Sequence, residues 1–251
     1  MQTCFLKIQI GTVRILLTVV KYSGLKCISL LLKINELARD FVALPKIKEI
    51  LREKDYLLRE LCIEILCAIV DQYNFMDILY VFRHLLETSS CSLFYNQVLN
   101  GIIKTSNLSN YEDELFIQIL ASSSCHKFLN QESASLIEQC LIDLYKKDRS
   151  RAEFILSEFF PHLSRGYSIC PSSILNSFLW ITGESAASIF IDSNILNFLF
   201  ELEKEGCQFH LIICLLKLWS ASKVDSVQCE NKMKQIRSFK SKCLRQYVTR
   251  F

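Results

Sequence analysis

Tyr56 to Val70 reads YLLRELCIEILCAIV. On a helix, Leu57, Leu61, Ile65 and Ile69 fall on one row and Leu58, Cys62 and Leu66 on the adjacent one, while Arg59, Glu60 and Glu64 turn away. Apolar residues at three- and four-residue spacing bury one stripe of a helix, whereas a half-buried strand would alternate at every second residue. The same period returns around IKEIL and in FMDILYVFRHLLE, CSLFYNQVLNGIIK, SASLIEQCLIDLYKK, AEFILSEFFPHL and FHLIICLLKLW, and no strand alternation of comparable length competes with it.

The breaks between these segments are short and polar. They fall near Asn35, at Asp71 to Asn74, Glu87 to Ser90, Lys104 to Asn110, Lys146 to Ser150, Ser164 to Ser168 and Glu203 to Gly206. Helices of roughly 12 to 18 residues joined by such loops pack as antiparallel neighbours. The helix pairs recur about every 35 to 45 residues, near the period of HEAT and armadillo repeats. The expected fold is therefore all-α, a right-handed α-solenoid of antiparallel helical hairpins running over residues 1 to 251 without a dividing linker, and a compact bundle is the second choice.

Composition agrees. Of 251 residues, 51% are hydrophobic and 22% charged, which excludes disorder of the low-hydrophobicity kind, and only 6 Gly and 3 Pro punctuate the chain. The net charge of +3 is concentrated at the end: from Lys217 to Phe251 nine Lys or Arg and two acids give +7, which leaves −4 for the rest. Lys232, Lys234, Arg237, Lys240, Lys242 and Arg245 are accordingly candidates for contact with an acidic partner or with anionic lipid head groups, against the simpler reading of a solvated helix face. Phe239 and Tyr247 are interleaved with these charges, but the apolar residues of the tail fall at helical spacing, which favours an amphipathic closing helix over a nucleic-acid surface.

Lys7 and Arg14 interrupt the apolar start, so no signal peptide is expected, and the longest charge-free run, Gly166 to Gly183, contains Pro171, Asn176 and four serines, too polar for a membrane span. The 12 Cys sit mostly inside apolar runs, as free buried thiols do in a reducing compartment. There is no CxxC pair, and His84, His126, His162 and His210 lie far apart, so no metal is expected. No GxSxG turn and no glycine-rich phosphate loop is present, and neither catalysis nor a cofactor is expected.

One stretch, FLWITGESAAS from Phe178 to Ser188, admits two readings. Trp180 beside Gly183 and Glu184 could line a pocket in which a sheltered carboxylate has a raised pKa. Alternatively a helix from about Ser172 to Ile191 carries Ile174, Phe178, Ile181 and Ser185 on one row, Gly183, Ala186 and Ala187 admit a neighbouring helix, and Glu184 caps or bridges a neighbouring repeat.

The motif Trp180-x-x-Gly183-Glu184, followed by a further helix pair and by LLKLW at Leu215 to Trp219, resembles the Trp-x-x-Gly-Glu signature of the adaptins, the large chains of clathrin-adaptor and coatomer complexes. VVKYSGLKCISLLLK, Val19 to Lys33, is similar to the adaptin helix with an Asn-x-(Lys or Arg)-Tyr-Leu pattern, with Val19 and Ser23 at its asparagine and leucine positions. EKDYLLRELCIEILCAIVDQYNFMDILYVFRHLL, Glu53 to Leu86, resembles the Ile-Arg-x-Arg-Ala segment of the trunk with Arg59 at the first arginine, and NYEDELFIQIL, Asn110 to Leu120, looks most like the delta chain of the third adaptor complex. Ser185, where an aromatic is usual, departs from the pattern and leaves gamma, alpha and epsilon types as competitors.

The resemblance covers nearly the whole chain but only the second half of an adaptin trunk, which implies a reduced or truncated subunit, a fragment, or a late start. It implies a non-catalytic scaffold in a heterotetrameric vesicle coat adaptor. Its partners would be a beta-type large chain, a medium chain and a small chain, and the complex would meet an anionic membrane surface. The implied place is cytoplasmic and peripheral, on Golgi and endosomal membranes and coated vesicles, in traffic toward lysosome- or vacuole-like compartments. The family's surfaces for acidic dileucine signals and for Arf-type GTPases lie mostly in the other half of the trunk and are assigned to no residue here. A stand-alone HEAT-repeat transport or regulatory scaffold, of karyopherin type, is the alternative outside the family.

Overall fold

The computed structural model describes residues 21–29, 44–52, 55–71, 73–106 and 114–238. Every regular element among them is helical. Their contacts divide the chain into two compact units, Met1–Glu112 and Asp113–Phe251, each of which is taken by itself.

The first unit holds helical residues 21–29 (α1), then α2 (Leu44–Leu51), α3 (Tyr56–Ile69), α4 (Phe75–Glu87) and α5 (Ser92–Ser106). The Asp55 carboxylate starts α3 by accepting the Leu58 amide at 3.2 Å, which satisfies one of the donors left open at a helix start. The expected break after it is a closed turn: the Asp71 amide donates to Asn74 Oδ1 (2.9 Å), the Asn74 amide to Asp71 Oδ1 (2.9 Å), and Asn74 Nδ2 to the Ile69 carbonyl (2.8 Å).

Helix α3 packs against α2 and α5, and α5 also against α4. Gln97 Nε2 donates to Glu60 Oε1 (3.1 Å) near the starts of α5 and α3, and the Cys67 thiol meets the Gly101 carbonyl (3.7 Å) further along both. Those paired positions make α3 and α5 parallel, with α4 as the return. The buried face of α3 is Leu58, Leu61, Cys62, Ile65, Leu66 and Ile69, joined by Ile63, because α5 covers the flank where Ile63 lies against Gly101. Leu57, on the expected apolar row, is instead 56% exposed.

The second unit holds α6 (Glu114–Ser123), α7 (Gln131–Lys147), a 3-10 turn (Arg149–Arg151), α8 (Ala152–Gly166), α9 (Ser172–Glu184), α10 (Ser193–Glu201), α11 (Gln208–Ser220) and α12 (Ser226–Ser238). Alternate helices lie side by side, α6 on α8, α7 on α9 and α9 on α11. Phe198 of α10 makes edge-to-face contacts with Phe160 of α8 (5.9 Å between centroids), Tyr167 (6.1 Å) and Phe178 of α9 (6.3 Å), an arrangement that the ring quadrupoles favour. Phe116, Phe159 and Phe178 are fully buried.

The helix expected from Ser172 to about Ile191 is two elements. Helix α9 ends at Glu184, where Ser185, buried, turns its Oγ to the Ile181 carbonyl (2.6 Å) and its amide to the same oxygen (2.9 Å). A serine hydroxyl that takes a helix carbonyl competes with helix continuation. Asp192 then caps α10 through the Asn194 amide (2.7 Å).

Candidate functional site

Trp180, Gly183 and Glu184 lie on the last turns of α9, each aimed at a neighbouring helix. Trp180 meets Tyr145 of α7 edge-to-face, with 5.2 Å between centroids and 82° between planes. Burial pushes the Tyr145 phenol up in pKa, so it stays neutral. Gly183 faces α11: a Cβ there would stand 3.2 Å from the Cys214 Cα and 3.3 Å from the Lys217 Cδ. Glu184 Oε1 accepts from Lys217 Nζ of the LLKLW segment, with the Glu184 side chain 35% exposed. Of the two readings of this stretch, the bridge between neighbouring helices is the one present; Glu184 is an ion-paired carboxylate at the surface rather than a sheltered base.

The other end of α9 is tied to the same partner. Ser172 Oγ donates to the Glu205 carbonyl (3.4 Å) and Asn176 Nδ2 to the Gly206 carbonyl (3.4 Å), both just before α11 begins. Gly206 has φ +86°, a left-handed conformation open to glycine, and a Cβ on it would stand 3.2 Å from Ser172 Oγ. Start meets start and end meets end, so α9 and α11 are parallel and α10 is the return.

Of the six basic residues expected on the closing helix, one is turned inward. Lys232 is only 4% exposed, packed on α12 between Cys229 and Ile236 on the buried side, so it offers no charge to a partner. Its stem fills apolar space while burial lowers its pKa, and Glu203 and Glu201 act in the opposite sense. Lys234 is solvated and 3.6 Å from Glu230. Lys240, Lys242, Arg245 and the side chain of Arg237 lie outside the described residues.

Two grooves open in the first unit. One, of about 530 Å³, is walled by Leu51, Arg52, Arg59, Tyr80, His84 and Phe94, with the Arg59 guanidinium 5.1 Å from the Phe94 ring centre. The other, of about 500 Å³, has Glu60, Glu64, Cys67, Gln97 and Lys104 in its walls. Burial pushes the Cys67 thiol up to about 12, so it is protonated at neutral pH and is no nucleophile.

In the second unit three turns come together, and each carries a free thiol. Cys125 lies after α6, Cys170 before α9, and Lys204 and Cys207 before α11. The Cys125 thiol accepts from Ser124 Oγ (3.7 Å), and the Cys170 thiol donates to the Pro171 carbonyl (3.5 Å). Lys204 Nζ donates to the carbonyls of Tyr167 (2.7 Å), Ser168 (3.2 Å) and Cys170. Cys125 lies against Gly166, with which it shares no motif, so only the stacking of hairpins brings the two together.

Among the described residues, no three His, Cys, Asp or Glu side chains are grouped to hold a metal ion, and no helix is long and apolar enough to cross a membrane. Neither a protein-family model nor a curated protein matches this chain.

Proposed function

We propose that the chain is a non-catalytic scaffold: a delta-adaptin-like, right-handed α-solenoid of HEAT- or armadillo-type hairpins serving as a large-chain segment of a heterotetrameric vesicle coat adaptor. The observation that carries the reading is the Trp180-x-x-Gly183-Glu184 signature together with LLKLW. Its three residues each join α9 to a neighbour, through Tyr145, Cys214 and Lys217. Parallel packing of every second helix, with the intervening helix as return, extends by addition of hairpins and leaves long faces for protein partners. Those partners are a beta-type large chain, a medium chain and a small chain, on the cytoplasmic face of Golgi and endosomal membranes, in cargo sorting toward lysosome- or vacuole-like compartments.

The test is affinity purification of the tagged full chain from its own cells. Medium, small and beta-type adaptor chains in stoichiometric amounts support the reading, and the identity of the medium chain separates delta from gamma, alpha and epsilon types. Recovery of the chain alone, or with a nuclear-transport or phosphatase partner, overturns it in favour of a stand-alone HEAT-repeat scaffold.

A further inference from the structure

We propose that the recess between α8 and α10 is a binding site for a quaternary ammonium group, the trimethylated lysine side chain of a partner protein. The recess, of about 250 Å³, is walled by Phe160, Tyr167 and Phe198, with Asn194, Asn197 and Glu201 around them. Sites for drug-sized ligands run from roughly 300 to 1,000 Å³, so this one suits a single head group.

Three rings from separate places in the chain meet here. Phe160 is on α8, Tyr167 follows that helix, and Phe198 is on α10. The Phe198 ring stands at 74° to Phe160 and 71° to Tyr167, with 5.9 and 6.1 Å between centroids. Walls so steeply inclined cannot all lie flat against a planar cation such as a guanidinium, whereas a tetrahedral group of methyls can present one to each. Phe198 is the deepest of the three at 7% exposed, while Phe160 and Tyr167 are half-buried and leave ring surface open.

Charge points the same way. Aromatic faces attract cations held within about 6 Å of the ring centre. Glu201 adds a full negative charge at the rim: it is exposed and makes no ion pair among the described residues. Lys232 acts on it from α12 but is 4% exposed and turned inward, and Lys204 is bonded to the Tyr167, Ser168 and Cys170 carbonyls rather than to a carboxylate. An unmethylated ammonium would have to give up the water held by its three N–H donors, whereas a trimethylated one has no donor to strand and lays methyls on the rings. The choline head of a phospholipid has the same cation, but its phosphate follows close behind and would face Glu201; the lysine stem is uncharged.

The experiment is a ligand-observed NMR titration of the full chain with the Nα-acetyl amide of trimethyllysine, with that of lysine, and with a neutral isostere in which carbon replaces the quaternary nitrogen. The trimethylated compound should bind about tenfold tighter than either of the others, because the isostere keeps its shape without its charge. Glu201→Gln should weaken it about threefold and Tyr167→Leu about tenfold. Glu201 is on the surface, so its variant keeps the test open if Tyr167→Leu loses its circular-dichroism spectrum. No binding of the trimethylated compound, equal affinity for its isostere, or an unchanged affinity in Glu201→Gln overturns the proposal. Binding to phosphatidylcholine vesicles in place of the trimethylated compound overturns it in favour of a lipid site.

Discussion

Glu184, the last residue of α9, is ion-paired with Lys217 in the last turn of α11, 33 positions away, and the pair closes one end of a parallel helix contact whose other end is closed by Ser172 and Asn176. The Glu184 and Lys217 side chains are 35% and 37% exposed, so water screens the attraction and the pair aligns the helices more than it stabilises them. Glu184→Gln and Lys217→Met should each cost about 0.5 kcal/mol in urea denaturation, with a coupling of similar size in the double variant. A coupling above about 2 kcal/mol would mean that the pair is desolvated.

Gly183 carries more weight than its charged neighbour. A Cβ on it meets the Cys214 backbone, which cannot rotate away, so Gly183→Ala gains about 1 kcal/mol of helix propensity and loses about 2 kcal/mol to overpacking. The expected net is about 1 kcal/mol of destabilisation, and Gly183→Val should be worse. Gly24, also helical, has nothing within 4 Å of such an atom, so Gly24→Ala should be neutral or stabilising by up to about 1 kcal/mol. If both alanine variants gain stability, the close approach of α9 to α11 is not limiting.

The thiols should separate by pH. Lowered to about 7, Cys125 is thiolate above that pH and thiol below, so its native-state alkylation rate should fall as pH drops through 7. Cys67, Cys140 and Cys214, pushed up to about 12 by burial, should remain unlabelled at neutral pH until the chain is unfolded. Quantitative mass spectrometry of iodoacetamide adducts between pH 5 and 9 reads both, with the window set by the ordinary thiol range.

Lys232 offers a test of burial against charge. Its folded pKa is depressed below 10.5, so the neutral amine is the form that suits the fold: its contribution to stability is complete only above 10.5 and is lost as pH falls through the folded value. At neutral pH the buried ammonium is therefore a cost. Glu201 and Glu203 are solvated and would not be stranded by its removal. Lys232→Met should raise stability at pH 7 by about 0.5 to 1 kcal/mol, read as a higher urea midpoint with an unchanged slope.

Phe198 ties three elements, and it is 7% exposed. Phe198→Ala should cost about 3 to 5 kcal/mol, against less than about 1.5 kcal/mol for Phe198→Leu if the site can repack around the branched side chain. Thermal unfolding followed by circular dichroism distinguishes these outcomes.

The helical class of this protein is written in local order. Leu58, Cys62 and Leu66 fall on one row by spacing alone, Asp55 and Asp192 stand at helix starts because their short side chains reach free amides within a few residues, and Asn74 closes the turn before α4 through the Asp71 amide and the Ile69 carbonyl. Short-range effects of that kind need no neighbour, and the break at Asp71 to Asn74 follows from them. The end of α9 is harder to read: Ile174, Phe178, Ile181 and Ser185 share one helical row, and spacing does not reveal that the helix stops at Glu184.

What required the tertiary structure is everything that depends on which helix lies beside which. Trp180, Gly183 and Glu184 were visible as a motif, and a bridging role for Glu184 could be anticipated, but that Glu184 meets Lys217 and that Gly183 faces the backbone of Cys214 follows from the parallel register of α9 and α11. Lys232 looked like part of a charged face until α12 was placed with that side inward. The placement of Cys125 against Gly166 lies furthest from the sequence, because it joins two turns that have no pattern in common. Periodicity determines which face of a helix is buried; it carries no information on the neighbour that buries it, and in this chain the neighbour decides what each singled-out residue does.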